Sequence, residues 1–374
     1  MNNTTKLRQT SFDFIKFIAM SFVLIGHVLQ RWSESGFTSS FGFSFIYSVS
    51  LALFFFTGGF FIKRVEKFTD WLIYLLKLFI HYIIPAFLFT CLSIWLLPRF
   101  ADHDFAFWME ELYFRTDTFY WYFLTAFFIN SSLALTHYFA SIIIRKKNLL
   151  GDLLRTLISI FLLLLYALIF INIYNNPQLG PTVLSANMLL YYLPIAFFGF
   201  LYRTFQKYFV IFRYSKFINI GIFIIALAGY ITALSQFPHW LAGLQSDFWT
   251  ITWRMLGALA GTIIYLYLAI EACQWRVMAK IAEVGQLSGP FYLVHVFLVR
   301  LLATYLPRPS VFNSSTILFL VLLTLGFYLA SLGITYGLVK IPITNMILFG
   351  DYHGWVVFKK WWDQHSHKKV SIPQ

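Results

Sequence analysis

Ten apolar segments, each close to twenty residues long, recur along the chain and decide what it can fold into. They fall at residues 12–30, 43–62, 72–97, 119–143, 153–173, 187–203, 216–234, 249–270, 286–304 and 315–338. A helix of about 20 apolar residues crosses the ~30 Å hydrocarbon core of a bilayer. Only 11% of the residues are charged, whereas a soluble domain carries about 25%. The sequence therefore predicts an all-α, polytopic membrane bundle of about ten transmembrane helices.

The segments between the apolar runs alternate between basic and poorly basic. Of the 28 Lys and Arg residues, 21 lie in one set of connectors and termini, and only four lie in the other set. Because cytoplasmic loops carry the excess of Lys and Arg, both termini are expected in the cytoplasm. The net charge of +13 is spread over these loops, so we expect no nucleic acid partner. We expect residues 1–338 to form the transmembrane domain and 339–374 a basic, aromatic cytoplasmic tail.

The first apolar segment carries three ionisable residues, Asp13, Lys16 and His27. Such groups are costly in a membrane and are therefore functional candidates. Asp13 and Lys16 are three residues apart and can pair on one helical face. His27 follows Lys16 by eleven residues, which places it within about 20° of the same face and ~16 Å along the axis. Because a neutral imidazole can accept a proton from a hydroxyl group, His27 is a candidate general base.

Basic residues collect where the second segment ends and the third begins, at Lys63, Arg64, Lys67, Lys77 and His81. Positive-inside topology alone accounts for most of them, but Lys77 and His81 could also bind phosphate groups. Gly58 and Gly59, within the preceding aromatic run, favour close helix packing.

The ninth segment contains Gly289, Pro290 and His295. Gly289 and Pro290 are expected to loosen this helix and to free backbone carbonyl groups near a cavity. His295 by itself could be either a packing residue or a catalytic one. His137, within the fourth segment, is interpreted as snorkelling to the membrane surface. The sequence has no Cys/His metal spacing, P-loop or Rossmann glycine pattern, so we expect neither a metal nor a nucleotide cofactor bound through such motifs.

Five motifs in this order resemble the acyltransferase-3 family of integral-membrane acyltransferases. They are Asp13-x-x-Lys16 followed by His27, the segment from Phe54 to Gly59, Tyr120 to Leu124, Pro194 to Gly199, and Gly285 to His295. Three departures from the family pattern concern its motifs. Thr57-Gly58-Gly59 stands in place of Ser-Gly-Phe. Lys16 stands where Arg is usual. Lysine keeps the positive charge but lacks the paired N–H donors with which arginine binds a carboxylate or phosphate in a bidentate manner. The family's basic Arg-x-x-Arg element is matched only loosely, by Lys77 and His81.

The resemblance implies transfer of an acyl group, expected to be acetyl, from cytoplasmic acyl-CoA to a hydroxyl of an extracytoplasmic glycan or cell-envelope polymer. It implies a bacterial plasma membrane and contact with membrane lipid, and it allows a partner protein that presents the acceptor. His27 would be catalytic, together with Asp13 and Lys16. CoA would contact Lys63, Arg64, Lys77 and His81, and the substrate tunnel would include Trp121, Tyr292 and His295. The alternative is a transporter or flippase for a glycan or lipid-linked sugar, with the polar stripe as its path.

The predicted topology can be tested by cysteine-accessibility labelling in intact cells. Cysteines introduced at Ser35 and Asn176 should react with a membrane-impermeant reagent from outside, because both lie in the poorly basic connectors. A cysteine at Lys146, in a basic connector, should react only from the cytoplasmic side. Cytoplasmic labelling at Ser35 would contradict the orientation.

Overall fold

The structure, a computed structural model, describes residues 3–33, 41–96, 120–146, 148–176, 186–208, 216–236, 248–306, 309 and 314–351. These residues are mostly helical and contain no strand. The elements are α1 (Asn3–Trp32), α2 (Phe41–Phe61), α3 (Phe68–Leu78), a π-helical turn (Phe79–Ile83), α4 (Ile84–Leu96), α5 (Trp121–Ile143), α6 (Leu149–Tyr174), α7 (Ala186–Phe205), α8 (Lys216–Gln236), α9 (Phe248–Ala272), α10 (Arg276–Ala282), a 3₁₀ turn (Glu283–Leu287), α11 (Ser288–Ala303), α12 (Ser314–Lys340) and α13 (Pro342–Phe349).

Ten spans among the described residues are long and apolar enough to cross a membrane, so the predicted all-α bundle is confirmed. Each coincides with a predicted segment to within a few residues, except that the span of α10 and α11 begins ten residues earlier. Two spans are composite. The third comprises α3, the π-helical turn and α4, and the ninth comprises α10, the 3₁₀ turn and α11.

Helices α1 and α2 occupy the centre of the bundle. α1 packs against α2, α9, α10, α11, α12 and the 3₁₀ turn, while α2 packs against α1, α5, α7, α8 and α9. In the most apolar stretch of α2, 72% of the residues are buried, against 17% in both α6 and α12. The outer helices therefore direct Leu, Ile and Phe side chains towards lipid, whereas α1 and α2 are enclosed by protein.

The α2–α7 contact is a close approach of two backbones. A Cβ atom added at Gly59 would lie 1.8 Å from the Ala196 carbonyl oxygen, and one at Gly199 would lie 2.0 Å from the Phe56 carbonyl oxygen. Only glycine fits at either position, because any side chain would overlap the facing backbone. The close packing predicted from Gly58 and Gly59 is thus present at Gly59.

The break in the ninth span lies earlier than Gly289 and Pro290 suggest. It is the 3₁₀ turn Glu283–Leu287, and Pro290 falls in the first turn of α11. Proline is tolerated there because the first turn of a helix has no internal partner for its N–H groups. Gly289 and Pro290 therefore lie just after the break, in the first turn of α11.

The third span widens into its π-helical turn just before Pro85. Proline has no N–H group to donate to the carbonyl four residues earlier, that of His81, so the regular α-helical ladder cannot continue there. Part of the predicted C-terminal tail packs at this point. Helix α13 contacts α4, and Gly350, with φ 63°, brings its backbone against Ile80 and His81. Residues 352–374 of the predicted tail lie outside the described part of the chain.

Substituting Gly59 with Ala should destabilise the bundle, since the new methyl group would overlap the Ala196 carbonyl. Overpacking of this kind costs about 1–3 kcal/mol. Gly229→Ala is a matched control, because nothing lies within 4 Å of a Cβ atom at Gly229. Thermal unfolding of the detergent-purified variants should show a lower midpoint for Gly59→Ala only. Equal midpoints would mean that α2 and α7 separate without loss of stability.

Candidate active site

The structure brings together two histidines that are 268 positions apart in the sequence. His27 lies near the end of α1 and His295 near the middle of α11, and their ring centroids are 5.6 Å apart. The two helices pack directly against each other. His27 retains partial exposure, whereas His295 is fully buried. This pair, which we call the histidine pair, is the centre of the candidate site.

The hydrogen bond of His295 defines the chemistry of its two nitrogens. Nδ1 lies 2.9 Å from the Phe291 carbonyl oxygen, one turn earlier on α11. A carbonyl oxygen can only accept, so Nδ1 carries the proton, and in the neutral imidazole Nε2 then holds a lone pair. Nε2 is buried and has no hydrogen-bond partner among the described residues. The pair therefore contains a buried nitrogen that is free to accept a hydrogen bond.

A continuous row of aromatic rings leads away from the histidine pair. Tyr292 contacts His295 at 5.4 Å and Tyr122 at 5.3 Å between ring centroids. Phe55 then contacts Tyr122 at 5.1 Å and Tyr192 at 4.5 Å, and Trp121 stacks on Tyr192 at 6.0 Å. The three predicted tunnel residues, Trp121, Tyr292 and His295, thus belong to one connected row of rings. Tyr122 and Tyr192 are not among the predicted tunnel residues, since tyrosines near the ends of membrane spans are typical of interfacial belts.

Arg300 is the functional candidate that sequence reasoning left unassigned. It follows His295 on α11, and its charge acts on His27, Tyr120 and Tyr292. A guanidinium group thus shares the site with the histidine pair. Its signal in the sequence was its position inside an apolar span, where an arginine is rare and is usually functional.

Tyr47 also packs beside the histidine pair. A Cβ atom added at Gly26 would lie 2.8 Å from Cε2 of Tyr47, so glycine lets this ring lie against α1 next to His27. The Tyr47 hydroxyl donates to Oε1 of Gln30 at 3.3 Å. The contact ties α2 to the last turns of α1.

Asp13 and Lys16 lie at the other end of α1 and do not contact the histidine pair. Lys16 Nζ is 3.2 Å from Oδ1 of Asp13, as their spacing predicts, and lies over the Phe61 ring. Gln286 in the 3₁₀ turn donates to Oδ2 of Asp13 at 3.1 Å. A Cβ atom at Gly285 would lie 1.8 Å from the Asp13 carbonyl oxygen. These contacts fasten the start of α1 to the segment that leads into α11, and so hold the two histidine-bearing helices in register.

The end of the bundle that carries Lys63, Arg64, Arg145, Arg155 and Lys207, which we call the basic end, contains a cavity of about 450 Å³. Of the four predicted donor-binding residues, only Arg64 lines the cavity. Lys63 and Lys77 do not line it, and His81 faces Phe349 and Gly350 of the C-terminal segment. The cavity also includes His137, whose Nδ1 lies 3.4 Å from the Val65 carbonyl oxygen.

The charged residues of the basic cavity are held by a network around Asp152. Asp152 pairs with Arg155 and with Lys207, whose Nζ lies 2.7 Å away, and it accepts from the Tyr208 hydroxyl at 2.7 Å. The hydrogen bond to Asp152 raises the pKa of Lys207 above its usual value. Arg64 donates to the Thr204 hydroxyl at 3.1 Å instead. Partial burial and the nearby Arg203 charge lower the pKa of Arg64.

A second cavity, of about 430 Å³, opens at the opposite end of the bundle. It is lined by Gln30, Arg31, Trp32 and the segment from Ala303 to Leu306. Trp32 Nε1 donates to the Leu306 carbonyl oxygen at 3.3 Å and joins the ends of α1 and α11. Gln30 and Arg31 follow His27 by three and four residues, about 4.5–6 Å along the helix axis. The cavity therefore lies roughly one helical turn beyond the histidine pair.

Comparison with known proteins places this arrangement in a family. No curated protein and no solved structure matches the chain significantly. A profile of the acyltransferase-3 family, described as an acyltransferase domain, matches residues 9–336 and thus includes both histidines and every membrane span except the last few residues of α12. The chain belongs to the acyltransferase-3 family and is a membrane acyltransferase.

Proposed function

We propose that this protein transfers an acyl group, expected to be acetyl, from cytoplasmic acyl-CoA to a hydroxyl group of an extracytoplasmic glycan or cell-envelope polymer. It would act in a bacterial plasma membrane with both termini in the cytoplasm. The observation that carries the proposal is the histidine pair, in which two imidazoles from distant parts of an acyltransferase-family chain lie 5.6 Å apart.

His27 acts as the general base in this proposal. It accepts the proton of the acceptor hydroxyl as that oxygen attacks the thioester carbonyl carbon. The resulting tetrahedral intermediate then breaks its carbon–sulfur bond, and the CoA sulfur leaves and takes up a proton. The products are an O-acyl ester and free CoA. Partial exposure favours His27 over the fully buried His295 as the residue that meets the substrate.

His295 and Arg300 support this step from α11. Nε2 of His295 is an acceptor without a partner among the described residues, so it can accept a hydrogen bond from protonated His27. Arg300 carries a fixed positive charge beside the pair. Such a charge stabilises the oxyanion of a tetrahedral intermediate, and it is most effective where water is excluded.

The two cavities support an approach of the two substrates from opposite ends of the bundle. The basic cavity suits an anionic donor, since four cations line it against two carboxylates. The cavity at Gln30 and Arg31 suits the acceptor, because it combines amide and guanidinium groups with the exposed Tyr305 ring and lies next to His27. Membrane lipid surrounds the outer helices, and a separate protein could present a polymeric acceptor.

Replacing His27 with Gln should abolish most of the transfer, because glutamine keeps hydrogen bonding but cannot take up the proton. General-base assistance is typically worth ~10²–10⁴ in rate. His295→Gln should lose less, about 10- to 100-fold, the value of one hydrogen bond to a charged group. The measurement is acyl transfer from radiolabelled acetyl-CoA by protein in liposomes, with thermal unfolding and CoA binding as controls.

Retention of more than about a tenth of wild-type transfer by His27→Gln would contradict its role as base, given the rate that general-base assistance supplies. His295 would then become the candidate base. Absence of any reaction with acetyl-CoA in the wild-type protein, together with movement of a glycan across the membrane, would instead favour a transporter.

Arg300→Gln should lower kcat while leaving the KM for the donor nearly unchanged, since the charge acts on the transition state. Loss of one oxyanion-stabilising group costs about 10²–10³ in kcat. Arg276→Gln is a control, because Arg276 is an exposed arginine at the start of α10, in the same span. An effect on KM alone would assign Arg300 to ground-state binding.

A further inference from the structure

The basic cavity is built by four segments of the chain that the sequence keeps apart. The α2–α3 connection supplies Arg64, the end of α5 supplies His137 and Ser141, the start of α6 supplies Arg155 and Thr156, and the end of α7 supplies Thr204 and Lys207. Its volume of about 450 Å³ lies within the range of about 300–1,000 Å³ typical of small-molecule sites.

The charges in this cavity are not balanced. Arg64, Arg145, Arg155 and Lys207 face two carboxylates, Asp152 and Glu66. Asp152 is fully engaged by Arg155, Lys207 and the Tyr208 hydroxyl. Arg145 makes no hydrogen bond or ion pair among the described residues, and the hydrogen bond of Arg64 goes to a neutral hydroxyl. Two guanidinium groups in the cavity wall therefore lack a carboxylate hydrogen-bonded to them.

Side-chain hydrogen bonds to backbone carbonyl groups join the elements that build the cavity. Arg155 donates to the carbonyl oxygens of Ile144 and Lys146 at 3.1 and 2.9 Å, which joins α6 to the end of α5. Arg203 donates to the carbonyl oxygens of Phe60 and Ile62 at 3.1 and 2.7 Å, which joins α7 to the segment before Arg64. Preorganised guanidinium groups bind phosphate oxygens through charge-assisted hydrogen bonds.

The first turn of α6 carries a side-chain cap. The Asn148 side chain accepts from the Gly151 N–H group at 2.8 Å and so caps this helix. One backbone N–H group of this helix end is therefore already bonded, and the cationic side chains are the donors considered for a ligand.

We propose that the basic cavity is a phosphate-binding site, with Arg64 and Arg145 as the groups that contact the ligand and Asp152 as the residue that positions Arg155 and Lys207. The ligand that fits the proposed acyltransferase function, on which this assignment rests, is the nucleotide phosphates of the acyl-CoA donor. The phosphate headgroup of an anionic lipid is the other source of the same chemistry. The long pantetheine arm separates the phosphates of CoA from its thioester, so this site does not need to touch the histidine pair.

The test is CoA binding to the full-length protein in nanodiscs of phosphatidylcholine, measured by calorimetry. Arg64→Gln and Arg145→Gln should each weaken binding by about tenfold or more, as loss of a hydrogen bond to a charged group predicts. They should also reduce the dependence of affinity on salt. Lys67→Gln and Lys146→Gln are matched controls, since each is an exposed lysine near its test residue that does not line the cavity.

A second measurement distinguishes the two sources of phosphate. Nanodiscs that contain phosphatidylglycerol should leave CoA affinity unchanged if the nucleotide is the ligand. If the lipid headgroup is the ligand, the lipid should compete with CoA or be retained on the wild-type protein in native mass spectrometry, and the arginine variants should lose that retention. Arg145 makes no hydrogen bond or ion pair among the described residues, so Arg145→Gln is expected to fold normally. A loss of binding in this variant would therefore report on the ligand contact and not on misfolding.

The proposal is overturned if neither variant weakens the binding of CoA or of lipid. It is also overturned if the lysine controls weaken binding equally, which would indicate only a diffuse surface charge. Failure of this site and failure of the proposed function give different results. If acyl transfer depends on His27 but CoA binding does not depend on Arg64 and Arg145, the proposed acyltransferase function stands. The donor phosphates would then bind outside the basic cavity.

Discussion

Direct backbone contact at a few glycines fixes the relative positions of the helices on which the rest of the structure depends. Gly59 and Gly199 place α2 against α7, and Gly285 places the 3₁₀ turn against Asp13 of α1. In lipid, association of apolar helices cannot rely on the hydrophobic effect, so close van der Waals packing has to supply it. Because α1 and α2 contact most of the other helices, these contacts determine the geometry of both candidate sites.

The histidine pair follows from this packing. α1 and α11 are bound at the basic end by the Asp13–Gln286 hydrogen bond and at the opposite end by the Trp32–Leu306 hydrogen bond. Between these two attachments, His27 and His295 meet in the interior of the bundle. Asp13 and Lys16 therefore lie at a distance from the histidine pair, although they share a helix with His27, and Asp13 joins that helix to the segment that precedes α11. Placing polar groups on enclosed helices also spares them contact with lipid, where they would be costly.

The two ends of the bundle differ in chemistry because different helices line the cavity at each end. At the basic end, α5, α6 and α7 diverge around a cavity whose charges are organised by a single carboxylate, that of Asp152. At the other end, α1 and α11 terminate together around a smaller opening with amide, guanidinium and aromatic side chains. A reaction between a charged donor and a separate acceptor is compatible with this asymmetry, since each substrate can enter without passing the other.

The sequence by itself determined the membrane class, the ten spans, the pairing of Asp13 with Lys16 and the candidacy of His27. Each depends on a local property, namely the length of an apolar run or a helical spacing along one segment. Only the tertiary structure decided that His295 is the neighbour of His27, that Arg300 shares their site, and that Arg64 joins Arg145 and Arg155 while Lys77 and His81 do not. These contacts join segments far apart in the chain, and helical periodicity specifies which face of a helix is polar but not which helix it will face. The break in the ninth span was misplaced for a related reason, because proline in the first turn of a helix is harmless and the position of that first turn depends on packing against α1.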